Sequence, residues 1–165
     1  MSLTPQHLMV PIDPVAGFGF QQELAHKACA VAQKMGARLT FFAAVPVLMP
    51  AVEGFPPASL PGGGPSLQQA AAAAAKDVLD GIVSHVSKQG VPCDAVVDPA
   101  CASIPQAVAN AAKRTHADLV VMQTHGRKGL NRLLFGSVAE RVARAVDCEV
   151  LLLKQQSSSV ETSTP

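Results

Sequence analysis

Short apolar runs alternate with longer stretches of helical periodicity along nearly the whole chain, and this alternation most restricts what it can fold into. Leu8-Met9-Val10-Pro11-Ile12 reads as a first strand ending at Asp13. From about Gln21 to Met35, Leu24, Ala28, Val31 and Ala32 recur at helical spacing, and Gly36 supplies the stop. Arg38 to Val45 reads as a second strand, followed by a loop rich in Pro and Gly from Pro46 to Pro65. Helical pattern resumes at Leu67, runs through the alanines Ala70–Ala75 to Val86, and stops at Gly90. Cys93 to Val97 is a third, short strand. Ser103 stands as a helix N-cap, with Pro105 in the first turn and Val108 and Ala112 on one face. Asp118 to Met122 is a fourth strand, Ser137 to Ala145 the last helix and Glu149 to Lys154 the last strand.

Strands separated by helices imply right-handed crossovers and a parallel sheet covered on both faces. The expected fold is therefore α/β, a doubly wound, Rossmann-like sheet of five strands. The fourth strand, apolar almost throughout, belongs in its interior. Ligands of such sheets sit beyond the carboxyl ends of the strands, where the strand order reverses. If the first and fourth strands are neighbours there, Asp13 and the 123–137 segment line one crevice.

A chain of 165 residues is long enough for one domain with a real core, expected over 1–154. The Ser/Thr-rich end, 155–165, is expected to be a disordered polar tail. Apolar residues make up 48% and charged ones 15%, the balance of a globular protein. A net charge of +1 argues against a nucleic-acid platform, and the absence of Trp and Tyr against base-stacking surfaces. No apolar run approaches the roughly 20 residues that span a bilayer. The start Met-Ser-Leu-Thr-Pro has neither the basic nor the apolar region of a signal peptide. A cytoplasmic protein, free of membrane partners, is expected. Cys29, Cys93, Cys101 and Cys148 show no metal-ligand spacing and are expected to be reduced thiols.

The densest chemistry lies in residues 122–138, Met-Gln-Thr-His-Gly-Arg-Lys-Gly-Leu-Asn-Arg-Leu-Leu-Phe-Gly-Ser-Val. An apolar strand opens into a loop carrying Gly126 and Gly129 and then meets Gly136-Ser137 at a helix start. Glycines let backbone N–H groups approach an anion, and a helix N-terminus adds unpaired donors and a favourable dipole. Arg127, Lys128 and Arg132 add positive charge to the same loop. Phosphate binding is the simplest chemistry that uses all of these. The plainer readings remain beside it: Ser137 with Glu140 forms a capping box, the glycines serve turns, the basic residues are solvated, and Asp13 caps a loop or helix.

Better-known signatures are missing. The chain has no G-x-x-x-x-G-K-[ST] P-loop and no G-x-S-x-G elbow. Gly17-Phe-Gly19-Phe-Gln-Gln22 begins like a dinucleotide fingerprint, but Gln22 stands where a third small residue is required. No general base, activated nucleophile or set of metal carboxylates stands out beyond Asp13, so a dedicated enzyme is not expected and at most a weak ATPase is.

The strand ending in Asp13, the strand 38–45, and above all Met122-Gln-Thr-His-Gly126, nine residues, then Gly136-Ser137-Val138 closely resemble the universal stress protein family. Its nucleotide-binding members carry G-x2-G-x9-G-[ST] after the fourth strand, and the likeness covers about residues 7–154. The resemblance implies a homodimer that binds ATP or another adenine nucleotide, with Mg²⁺ as a companion ion, in the service of stress survival. Carried over, Asp13, with Pro11 beside it, would meet the ribose or adenine, and Ala44 would flank the base. Met122 and the backbone of Gln123 would line the adenosine side. Gly126, Gly136, Ser137 and Val138 would cradle the phosphates, with Arg127 and Gly129 completing the set. Two departures stand out. Gln123 replaces the motif's first Gly, and the turn after Asp13 is longer than usual, reading Pro-Val-Ala-Gly-Phe-Gly-Phe. The alternative function is a dimeric interaction protein of the same fold that binds no nucleotide, with Gln123 marking the lost site. The dimer is expected through Glu149–Lys154, an apolar strand at a sheet edge.

Overall fold

In a computed structural model of the chain, the described residues are 4–47, 66–124 and 137–155. Nine elements alternate along them: β1 (His7–Pro11), α1 (Phe18–Met35), β2 (Arg38–Pro46), α2 (Leu67–Ser87), β3 (Cys93–Cys101), α3 (Ile104–Thr115), β4 (Leu119–Thr124), α4 (Ser137–Ala145) and β5 (Glu149–Lys154). The five strands form one parallel sheet in the order β3-β2-β1-β4-β5. This is the doubly wound α/β architecture that the alternation predicts. The Pro46–Pro65 loop, beyond Val47, and the tail beyond Gln155 lie outside the described residues.

Strand alternation divides the core into two layers. Leu8, Val10, Ile12, Leu39, Phe41, Leu119 and Val121 point to one face and pack with Leu24 and Ala28 of α1 and Leu79 and Ile82 of α2. Met9, Phe42, Ala44 and Val120 point to the other and meet Val108 and Ala111 of α3 and Val142 of α4. The interior strands β1 and β2 therefore read as continuous apolar runs, because each of their two faces lies under helices.

Local chemistry explains most element ends. Gly36 closes α1 in the left-handed conformation, φ 66°, where a residue without Cβ is least strained. Ser66 opens α2 through a capping box: its hydroxyl accepts from the Gln69 N–H at 3.2 Å, and Gln69 Oε1 accepts from the Ser66 N–H at 2.8 Å. Ser103 occupies the predicted N-cap of α3, though its side chain makes no capping bond. His116 ends α3 at φ 54°, its N–H reaching the carbonyls of Ala112 and Lys113. Three elements run two residues or more beyond their local patterns, β4 among them, which reaches Thr124 rather than Met122. β3 continues past Val97 to Cys101, and α1 starts at Phe18 rather than near Gln21. Pro99 is tolerated within β3 because that strand lies at the sheet's edge, where a missing N–H leaves no neighbour unpaired.

Candidate functional site

The strand order reverses between β1 and β4, the pair that the sequence reading needs as neighbours. Successive strands run outward from β1 through β2 to β3 on one side, and from β4 to β5 on the other. Their ladder is short: it covers Leu8↔Leu119 and Met9↔Val120 and goes no further. By contrast β4 stays in register with β5 from Leu119↔Glu149 to Thr124↔Lys154, and β1 with β2 from His7↔Arg38 to Pro11↔Phe42. Towards their carboxyl ends, then, β1 and β4 part while each keeps its outer neighbour. In doubly wound sheets, this switch point is where ligands bind.

The β1 side of this opening is tightly organised. Pro11 ends the strand, half-buried, and Asp13 is exposed two residues on. One carboxylate oxygen of Asp13, Oδ1, accepts from the Val15 N–H at 3.0 Å. Its backbone carbonyl accepts from the Ala16 N–H at 3.2 Å, closing a turn. Gln21, buried in the first turns of α1, donates its Nε2 to the carbonyls of both Asp13 and Ala16 at 2.9 Å. This amide clamp holds the lengthened turn against the helix, and it was missed in the sequence because a lone Gln inside a helical stripe carries no local signal. The Asp13 side chain is exposed, so a ligand can reach its carboxylate.

Ala44, near the end of β2, is buried in the second core layer beside Met9 and Phe42. The register shifts between Ala44 and Pro46, which bends the strand just beyond it. On β4, Met122 packs half-buried on that same layer. Gln123 points the opposite way, by strand alternation, towards the layer of Leu119 and Val121. It is only 7% exposed, and neither Nε2 nor Oε1 has a hydrogen-bond partner among the described residues. Burying an amide in that state costs about 1–3 kcal/mol.

Ser137 and Val138 are the first two residues of α4, both exposed. Glu140, in the first turn of this helix, accepts from Arg144 through Oε1 at 2.6 Å. Gly126, Arg127, Gly129 and Gly136, with His125, Lys128 and Arg132, lie outside the described residues. The exposed large apolar side chains of the described residues share one end of the fold. Val15 (89% exposed) and Phe18 (75%) lie in or beside the turn after β1, and Val47 follows β2. Leu67, Ile104 and Val138 sit at the starts of α2, α3 and α4. In a parallel α/β sheet all these positions fall at the carboxyl ends of the strands, the end at which such sheets bind ligands.

The opposite end is chemically quieter. His7 is buried in a polar relay: Arg38 donates to its Nδ1 at 3.0 Å, and its Nε2 lies 2.8 Å from the Thr40 hydroxyl. A hollow of about 240 Å³ near the strands' amino ends is lined by Lys113, His116, Asp147 and Cys148. Burial pushes the Cys148 thiol up, which disfavours the nucleophilic thiolate. The four cysteines are free, and the other three thiols are raised for the same reason. No group of three or more His, Cys, Asp or Glu able to hold a metal occurs among the described residues. Nor is any helix among them long and apolar enough to cross a membrane.

With this geometry in hand, known proteins give a consistent picture. The model of the universal stress protein family matches residues 5–154. A universal stress protein of Methanocaldococcus jannaschii is 40% identical over 67 residues, which are 41% of this chain and 32% of that protein; the match thus spans about a third of the relative's length. A universal stress protein in complex with cAMP superposes with a TM-score of 0.62 at 18% identity, covering 92% of this chain and 98% of that one. The universal stress protein of Archaeoglobus fulgidus in complex with dAMP gives a TM-score of 0.60 at 18% identity, over 89% and 96% of the two chains.

Proposed function

The chain belongs to the universal stress protein family, and from that premise we propose that it is an adenine-nucleotide-binding module of the stress response. The observation that carries this reading is the end of the β1–β4 pairing at Met9↔Val120, at the switch point where doubly wound sheets bind ligands, beside an exposed Asp13. Asp13, exposed at the end of β1, would accept from the ribose or the base. Pro11, Ala44, Met122 and Gln123 would line the nucleoside side. The glycines Gly126, Gly129 and Gly136, with Arg127, Ser137 and Val138, would hold the phosphates, with Mg²⁺ as companion ion. Support comes from Ser137 and Val138, which are exposed and helical at the start of the described part of α4, since helix N-termini favour anions. Structural neighbours crystallised with cAMP and dAMP support an adenine ligand. Occupancy is then the signal, and turnover of ATP is at most slow.

We also infer a homodimer through β5. That strand lies at the sheet's edge, and Val150, Leu151, Leu152 and Leu153 are only half-buried along it. An apolar edge with no Pro and no charge in its middle invites a second strand. Two copies meeting about a two-fold axis would satisfy both edges in one closed contact.

Titration of the purified protein with ATP and Mg²⁺ tests the nucleotide reading. A ligand bound only by the folded state raises the melting temperature with concentration. The expected result is a saturable rise for ATP, ADP and AMP, and a weaker one for GTP. No shift at millimolar adenine nucleotide would leave the dimeric interaction protein as the better reading.

A further inference from the structure

Gln123 holds an amide whose donor and acceptor are both closed to solvent and both without a partner among the described residues. It sits on β4 beyond the last rung shared with β1, at the level where the two strands have parted. Its neighbours on the same side of β4, Leu119 and Val121, are apolar and cannot answer it. Buried polar groups are almost always bonded, and an orphan in a native protein calls for a missing partner. We propose that the Gln123 side chain is a nucleoside-reading group that gains its hydrogen bonds when the crevice is filled. This rests on the nucleotide reading above and deepens it, since that reading assigns the side chain of residue 123 no hydrogen bonds.

Both halves of the amide are orphaned, and this selects the part of the ligand. A phosphate only accepts; it would satisfy Nε2 and leave the lone pairs of Oε1 facing negative charge. A sugar hydroxyl, or the edge of an aminopurine, offers a donor and an acceptor side by side and can satisfy both atoms. Gln123 therefore reads the uncharged nucleoside. In doing so it makes the empty protein less stable than an apolar residue at the same place would.

The test uses Gln123→Met, which keeps an unbranched side chain of similar length, with Gln123→Leu as a second variant should the first fold poorly. Melting temperatures without ligand and calorimetric affinities for ATP, adenosine and pyrophosphate are measured for each. The expected pattern is an empty variant at least as stable as the wild type. ATP and adenosine should both bind about tenfold or more weakly, and pyrophosphate unchanged. Deoxyadenosines and purine riboside then separate hydroxyl from base. The analogue lacking the group that Gln123 reads should bind wild type and variant alike. Equal ATP affinity for wild type and a folded variant overturns the proposal while sparing the nucleotide reading. A lowered melting temperature with equal affinity also overturns it, and marks the amide as held by a structural water. A flat wild-type titration overturns the nucleotide reading itself.

Discussion

Gln21 Nε2 donates to the backbone carbonyl of Asp13 at 2.9 Å, so a helix side chain rather than the strand holds the carboxylate-bearing turn in place. The same nitrogen reaches the Ala16 carbonyl at 2.9 Å, and the residue is buried. Gln21→Met fills the same space but leaves both carbonyls without their donor. Stability should fall by about 1–2 kcal/mol, a drop of about 2–8 °C in Tm. Adenine-nucleotide affinity should fall with it, because Asp13 loses its anchor. Thermal melts and calorimetry on one preparation check both; an unchanged Tm would show that the clamp contributes nothing.

Asp13 itself can be probed without disturbing the turn. In Asn the side-chain oxygen still accepts from the Val15 N–H as Asp13 Oδ1 does, while the second oxygen becomes a donor. Asp13→Asn should therefore keep its stability to within about 0.5 kcal/mol and lose about tenfold in adenine-nucleotide affinity. Titration of the folded variant at wild-type affinity would remove Asp13 from the site.

His7 makes stability depend on pH in a fixed direction. Burial, and then the Arg38 guanidinium at its Nδ1, lower its pKa from the ordinary value of 6.5. The folded state therefore prefers the neutral ring while the unfolded chain protonates more readily. Its contribution is fully present above about pH 6.5, shrinks as pH falls below that value, and levels off beneath the lowered folded pKa. Urea unfolding between pH 8 and pH 5 should show this loss. Gln at position 7 can accept from Arg38 and donate to Thr40 without titrating, so His7→Gln should flatten the profile. A profile of equal slope in the variant would assign the pH dependence to other groups.

Leu152 offers the cleanest test of the dimer. Leu151 and Leu153 pack on the larger core layer and Val150 on the smaller, whereas Leu152 is half-buried and packs on neither. Leu152→Lys should leave the subunit folded while placing a charge in the seam from both chains. Sedimentation equilibrium should then read a monomer for the variant and a dimer for the wild type at tens of micromolar. A monomeric wild type would end the proposal.

The capping box of α2 is a purely structural prediction. Ser66→Ala removes the acceptor of the Gln69 N–H and should lower stability by about 1 kcal/mol. Gln69→Ala removes the reciprocal bond, and because the two act as a unit the double variant should cost less than the sum of the singles. Strict additivity in urea denaturation would show that the two bonds act independently.

What the sequence by itself determined are the features set within a few residues of themselves. The bounds of β5, Glu149–Lys154, and the end of α4 at Ala145 match their apolar patterns, because periodicity and propensity are local quantities. Gly36 ends α1 for the same reason, and the fold class followed from the alternation of such elements. Only the tertiary structure decided the rest. β3 runs on through Asp98 and Cys101 because Ala44 and Pro46 of β2 pair with them, and those partners are more than fifty residues away in the chain. α1 begins at Phe18, where its first turn bonds back to Gly17 and Gln21 clamps the preceding loop. The crevice was legible only as a condition, that β1 and β4 be neighbours; that they part beyond Met9 and Val120 is a matter of sheet geometry. Gln123 reads in the chain as one polar residue in an apolar strand. Its isolation depends on which side chains crowd round it, and those come from distant segments whose approach no local pattern encodes.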